Sequence, residues 1–424
     1  MNEANNRQAP IFSLTNEGEI QLSLPFFWVV VLLSLPYLGW EIYWFNKVGY
    51  PAFKWHTHLA VYYYACLFFY LFFSLLHRLF SFKKDLRLQV LLVTVFSTLA
   101  LAEGALIATG TGDTYSEHIG HAYFSNYGSS KETYYRLHKP YEQYVIERPE
   151  FNYLRPCNSL GYSDVEWTMA KKKNEKRIAC FGDSFTEGVG APFDSCYVSQ
   201  LRQMLQAEDS NITVMNAGIS GDDPCVNFVN YRDKVAAFKP DILVQTLSSN
   251  DMNTDIATKG GLERFGPNET LHYKKGPWWE PIYALSYVSR LVFRALGYNE
   301  LLLRVPFSTK VKEELNQKAI ETFAAYAAEA KKQGAVLLVV LQPDQFAVYQ
   351  KKFEYDLSPI VAYLKTLDHV KVCDLTPFYL NEFARNQDDI KTYYWPQDGH
   401  HNSKGYALMA RSIQHSLDSL YLKN

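Results

Sequence analysis

Ser184, Asp398 and the neighbouring His400 and His401 are the residues of this chain whose types could do chemistry together. A serine hydroxyl is a poor nucleophile until an imidazole takes its proton, and the imidazole needs a carboxylate to fix its tautomer and stabilise its charged form. Ser184 closes the phrase Gly182-Asp183-Ser184, which follows the short apolar run from Arg177 to Phe181 and precedes further glycines at 188 and 190. An apolar run ending at a glycine reads as a buried parallel strand entering a tight turn. Such a turn leaves Ser184 at the carboxyl end of the strand, the edge where open α/β sheets place their chemistry. Each residue alone has a plainer reading: Ser184 as a helix cap, Asn250 in an Asx turn, Asp398 as a turn residue before Gly399. Their combination carries the argument, while Asp183, Asp222 and Asp223 are assigned to turns and loops.

The elements that must position these residues alternate. Strands are expected at 177–181, 212–216, 241–247, 335–341 and 370–374, and helices at 193–207, 226–237, 313–333, 358–366 and 403–420. Strands alternating with helices imply an α/β fold with a doubly wound parallel sheet. Three polar clusters fall at strand ends or before the last helix: Asn216 to Gly221, Ser248-Ser249-Asn250-Asp251, and Asp398 to Gly405.

Four motifs in that order, over residues 182 to 405, resemble the SGNH hydrolases, the superfamily that includes the GDSL esterases. The resemblance covers roughly the last 250 residues, about one domain, and implies an SGNH, flavodoxin-like sheet. It implies an oxyanion hole built from the backbone N–H groups of Ser184 and Gly221 and the side-chain amide of Asn250. The family's usual glycine before the asparagine is replaced by Ser249, a residue still small enough for the turn. The commonest spacing, Asp-x-x-His, points to His401 as the base. The phrase Asn402-x-x-Gly405 leading into the last helix matches a variant that points to His400, with His401 in the aromatic position beside it. Distance from the final helix should govern the imidazole's place better than distance from Asp398, so His400 is favoured. The chemistry calls for no cofactor and no metal, and the histidines at 56, 58, 77, 118, 121 and 138 lack ligand spacing.

The near-balanced net charge of -2 excludes a general polyanion binder, so no nucleic acid is expected. Aromatic residues reach 16%, with 31 Tyr and 27 Phe, which suits membrane association or carbohydrate contact. Residues 21–40, 59–76 and 88–107 are apolar runs near the length of a bilayer crossing, interrupted only by Glu103 in the third. The first run starts late and lacks a basic leader, which disfavours a cleaved signal peptide. The basic loop from His77 to Arg87 belongs in the cytoplasm by the positive-inside rule, and three crossings then put the remainder outside. The expected organisation is a tail at 1–20, a three-helix transmembrane anchor at 21–108, an irregular extracytoplasmic collar at 109–175 and a hydrolase domain at 176–424. Glu41 and Glu103 lie at outer ends of spans, where interfacial water explains them more readily than an intramembrane role. Cys66 and Cys180 read as buried small residues, and a disulfide among 157, 196, 225 and 373 stays open.

An insertion at 252–312, about 60 residues, is far longer than an ordinary strand-to-helix loop. It contains Trp278-Trp279 and an amphipathic stretch from Ile282 to Gly297, readable as a packed helix, a lid or a surface resting on the bilayer. The function that follows is a multi-pass cell-membrane serine esterase or acyl-transfer enzyme with its catalytic domain outside the cytoplasm. Ester-linked acyl groups of an envelope glycan are the expected substrate. A lipid esterase or lysophospholipase is the second reading. A weakly catalytic component that binds glycan or membrane protein partners is the third.

Overall fold

The computed structural model describes residues 12–14, 20–22, 62–65, 67–69, 86–111, 137–266, 282–283, 286–296, 308–386, 389 and 392–419. The chain divides into two compact units: Met1–Asn126 with Lys275–Val305, and Tyr127–Lys274 with Pro306–Asn424.

The second unit begins with an antiparallel hairpin, β1 (Gln143–Arg148) and β2 (Phe151–Pro156). The main sheet comprises β3 (Lys176–Phe181), β4 (Ile212–Asn216), β5 (Ile242–Leu247), β6 (Val336–Leu341) and β7 (Val370–Asp374). Its order is β4-β3-β5-β6-β7, and every neighbouring pair is parallel. The helices are α1 (Ser184–Glu187), α2 (Tyr197–Glu208), α3 (Pro224–Asp233), α4 (Thr309–Lys332), α5 (Gln345–Gln350), α6 (Ser358–Leu364), α7 (Thr376–Asn386) and α8 (Ser403–Leu417).

Successive residues of a strand point to opposite faces, and both faces of this sheet are covered. Ala179 and Phe181 of β3 enter a core with Leu243, Leu337 and Val339 beneath α3, α4 and α6. Ile178 and Cys180 enter the opposite core with Val244, Leu338 and Val340 beneath α2 and α8. Burial on both sides explains the continuous apolar runs of these strands. Each fully buried Val, Leu or Ile stabilises the fold by about 1.5–3 kcal/mol. The chain runs from β3 to β4 on one side and crosses back to β5 on the other, so the topological switch lies between β3 and β5. Residues just past the carboxyl ends of β3, β4 and β5 therefore gather at one rim.

The expected strands occur in their places, but several helices differ. The helix expected from 193 starts at Tyr197, because Phe193–Ser195 forms a separate 3-10 turn. The sequence pattern does not mark α5 or α7, and the collar, expected to be irregular, contains the regular hairpin β1–β2. The hairpin escapes sequence reading because Val145 and Leu154, paired across it, are both exposed and erase the contrast between its faces. Cys157, Cys180, Cys196, Cys225 and Cys373 are buried free thiols, so none of the disulfides left open by the sequence is formed.

In the first unit, Phe12–Leu14 pairs antiparallel with Ile20–Leu22, so the start of the first apolar run is strand rather than helix. Residues 23–40 of that run, Glu41 and Trp278-Trp279 lie outside the described residues. The described part of the second run, 62–65 and 67–69, is helical. The third run is the 24-residue helix Leu86–Thr109. Among the described residues no helix is long and apolar enough to cross a membrane. Glu103 is fully buried and accepts hydrogen bonds from Tyr62 Oη (3.0 Å), Ser286 Oγ (3.1 Å) and the amides of Tyr287 (2.7 Å) and Val288 (3.0 Å). Its carboxylate thus caps Tyr287–Ala295, the helix of the insertion. A negative charge at that end meets the amides that lack intrahelical acceptors.

Candidate active site

Gly182 ends β3 where no side chain fits: a Cβ there would stand 2.1 Å from Thr246 Oγ1 and 2.2 Å from Thr186 Oγ1. The chain turns directly into α1, with Asp183 as its N-cap accepting from the Phe185 amide at 2.9 Å. Ser184 is the first residue of that turn, a position whose N–H has no carbonyl acceptor within the helix.

At the other end of the domain, Asn402 caps α8 by accepting from the Lys404 and Gly405 amides at 3.0 and 3.1 Å. Gly405 is required because a Cβ would stand 2.2 Å from Tyr393 O. This cap sets where the two preceding histidines fall. His400 Nε2 lies 2.7 Å from Ser184 Oγ, and His400 Nδ1 lies 2.5 Å from Asp398 Oδ1. With Nδ1–H donating to the carboxylate, Nε2 is left to accept the serine proton. The Phe185 ring, 4.8 Å from the imidazole by centroids, packs against it.

Asp398 sits below its ordinary pKa: burial pushes it up, but the hydrogen bond and charge of His400, with Arg148 further off, outweigh that. It therefore remains a carboxylate as the imidazole becomes charged. Replacing it with Asn is expected to lower kcat by on the order of 10⁴-fold with KM little changed, since an amide can hold the imidazole in the wrong tautomer. Steady-state ester hydrolysis checks this; full activity in Asp398→Asn would remove Asp398 from the mechanism.

His401 is brought elsewhere. It is fully buried, with Nε2 2.9 Å from Tyr379 Oη and its ring against Tyr394 and Tyr406. Burial pushes its pKa down to about 3, outweighing the opposite influence of the Tyr393 backbone. It fills the space beside His400, packed among Tyr379, Tyr394 and Tyr406.

The other two expected donors lie on the flanking strands' loops. Gly221 follows β4 and Asn250 follows β5, the neighbours of β3. Asp251 shapes the Ser248-Ser249-Asn250 turn by accepting from Ser248 N (2.6 Å) and Oγ (3.0 Å), which is how this chain turns without the family's glycine. Asn250 Nδ2 lies 3.4 Å from Asp255 Oδ2, while Lys259 Nζ bonds both Asp255 Oδ1 (2.5 Å) and Gly221 O (2.9 Å). The buried Lys259–Asp255 pair thereby ties the Gly221 loop to the Asn250 turn.

Sequence reading missed a second buried group. The Glu187 carboxylate accepts from His138 Nε2 (2.8 Å), Tyr144 Oη, and the amide (2.6 Å) and hydroxyl of Ser220. Arg155, fully buried, donates to Gly188 O and Ala191 O at 3.1 Å each and to Glu187 O. The segment at 137–156 is thus bonded to the turn that follows Ser184, at Glu187, Gly188 and Ala191. His138 lacks metal-ligand spacing, and its pairing with the Glu187 carboxylate leaves no local mark in the sequence.

The GDSL-like Lipase/Acylhydrolase family matches residues 180–408, more than half of the 424-residue chain. The chain belongs to that family. A curated relative, an acetylxylan esterase of Xylanibacter ruminicola, is 35% identical over 91 residues, which span 19% of this chain and 18% of that protein. A two-domain esterase active on acetylated mannans is 15% identical and aligns over 58% of this chain and 49% of its own, with a TM-score of 0.37. A variant of an acetylxylan esterase from Geobacillus stearothermophilus is 14% identical over 58% of this chain and 95% of its own, with a TM-score of 0.36. The chain therefore spans half or less of the first two of these proteins. Within the family match, residues 180–408 contain Ser184, Gly221, Asn250, Asp398 and His400, whereas the hairpin β1–β2 precedes it.

Proposed function

We propose that this protein is a serine esterase or acyl-transfer enzyme acting on O-acyl groups, acetyl above all, of an envelope glycan. The observation that carries the reading is the unbroken relay from Ser184 Oγ through His400 to Asp398 at the carboxyl rim of the sheet. His400 Nε2 takes the Ser184 proton as Oγ bonds to the ester carbonyl carbon. The carbonyl oxygen becomes an oxyanion facing the amides of Ser184 and Gly221 and the Asn250 side chain, each donor contributing about 3 kcal/mol. Collapse breaks the ester C–O bond, and His400 returns the proton to the departing sugar oxygen. A water or an acceptor hydroxyl then gives its proton to His400 and attacks the acyl carbon; the acyl C–Oγ bond breaks as His400 returns that proton to Oγ, restoring Ser184. The curated relative supports an acetylated glycan as substrate, though it matches over 91 residues only.

Attachment to the cell membrane, with the catalytic domain on its outer side, is the accompanying proposal. The apolar N-terminal runs support it, as do Leu91, Val95 and Leu101, which stand exposed together along helix Leu86–Thr109 as a lipid-facing stripe would. Contacts with other membrane proteins would use the same surface. The test is labelling of the full chain in membranes by a fluorophosphonate, followed by assays on an acetylated xylo-oligosaccharide and a long-chain acyl ester. Ser184 should be labelled, Ser184→Ala should not, the label should stay with carbonate-washed membranes, and the acetylated sugar should be preferred. Preference for the long-chain ester would establish the lipid-esterase reading, and an unlabelled wild type the binding one.

A further inference from the structure

The Asp398 loop is held from outside the family's matched region. Glu150, in the two-residue turn between β1 and β2, accepts the amides of Gln397 (2.9 Å) and Asp398 (2.7 Å) on one carboxylate oxygen, Oε2. Arg148, at the end of β1, places Nε 3.6 Å from Asp398 Oδ2, the oxygen that His400 does not use. The hairpin itself has little freedom. Ile146 and Phe151 pack with Val189 and Trp395, the Phe151 and Trp395 rings lie 5.5 Å apart, and Trp395 Nε1 donates to Gly190 O at 2.7 Å. One small cluster thus joins the hairpin to both the serine loop and the acid loop.

We infer that Arg148 and Glu150 are positioning residues for the reaction, forming a clamp that holds the Asp398 carboxylate against the His400 imidazole. The loop's own geometry gives each of the two residues a task. The turn from Trp395 to Gly399 is closed by Gly399 N to Trp395 O and Trp395 N to His400 O, both at 2.8 Å; neither bond uses the amides of Gln397 and Asp398 at its corner, which need another acceptor. Glu150 supplies that acceptor but sets a second negative charge beside Asp398, which alone would make ionisation of Asp398 harder. Arg148 supplies the compensating cation. The charged groups facing Asp398 are then His400 from its own loop and Arg148 and Glu150 from the hairpin.

The inference rests on the serine-esterase reading, and the experiment separates the two. Full-length Arg148→Leu, Arg148→Lys, Glu150→Ala and Glu150→Gln are compared with wild type for kcat, KM and the pH profile of kcat, with fluorophosphonate labelling rates in parallel. Glu150→Ala should lose about 10-fold in kcat with KM within about twofold, the pattern of a lost transition-state alignment. Glu150→Gln keeps an oxygen acceptor for the two amides and should recover most of the loss. Arg148→Leu should shift the acid limb of the kcat profile to higher pH, and Arg148→Lys should restore it. The labelling rates should follow kcat. Wild-type kcat and acid limb in both Arg148→Leu and Glu150→Ala, or effects confined to KM or to melting temperature, would overturn the clamp and leave the esterase reading standing. A wild type that neither labels nor turns over would overturn both.

Discussion

Replacing His400 with alanine is expected to reduce kcat by on the order of 10⁴- to 10⁶-fold without loss of the fold, whereas His401→Ala should cost stability first. The two imidazoles are neighbours in sequence with opposite environments. His400 is partly accessible and bridges Ser184 and Asp398 at 2.7 and 2.5 Å, so its removal leaves the serine without an acceptor for its proton. His401 is fully enclosed and bonded to Tyr379, so its removal opens a cavity and strands a buried hydroxyl, together about 3 kcal/mol. Burial lowers its pKa to about 3 from the ordinary 6.5, which favours the neutral imidazole at neutral pH, and its Nε2 is turned to Tyr379 rather than to Ser184. The stability it confers is complete above pH 6.5, where the unfolded chain is also neutral, and declines as pH falls from there toward 3. Ester turnover and thermal unfolding of both variants distinguish these roles. An active His400→Ala, or an inactive His401→Ala with unchanged melting temperature, would reverse the assignment.

The second large effect is expected at Glu187, three residues past the nucleophile. Burial pushes its carboxyl up, but hydrogen bonds from His138, Ser220 and Tyr144 outweigh burial and hold the pKa at about 2, against an ordinary 4.5. That gap corresponds to about 3 kcal/mol. The carboxylate's contribution is present above pH 4.5, where both folded and unfolded chains are ionised, and is lost as pH falls toward 2. Glu187→Ala should therefore be less stable by about 3 kcal/mol at pH 7, lowering the melting temperature by roughly 6–12 °C for a domain of this size. The difference from wild type should shrink as pH approaches 3. Urea unfolding of the two proteins at pH 7 and pH 3 measures it, and a difference that persists or grows in acid would contradict the carboxylate's role. Because Ser220 precedes Gly221, the same substitution should also loosen the expected oxyanion donor.

Much of the fold is legible along the chain because its strands are buried on both faces. Runs such as Val336–Leu341 carry no polar interruption, and they end at turns that mark the sheet's rim. The hairpin Gln143–Arg148 and Phe151–Pro156 is not legible, since exposed Val145 and Leu154 put apolar residues on its outer face. Glu103 is a similar case. In sequence it is a lone charge in an apolar run, and only the packed structure shows the amides of Tyr287 and Val288 that it caps.

By itself the sequence determined the sheet, its rim and the residue types able to run serine chemistry, because strand burial, turn glycines and helix caps are written in short local patterns. Spacing from the last helix already favoured His400, but tertiary structure alone supplied its contact with Ser184 and placed Arg148, Glu150 and Glu187 as braces of the loops around it. Those contacts join residues as far apart as Ser184 and His400, or Glu150 and Asp398. No local pattern encodes such a pairing; it exists only once both cores have packed and brought the loops to one edge.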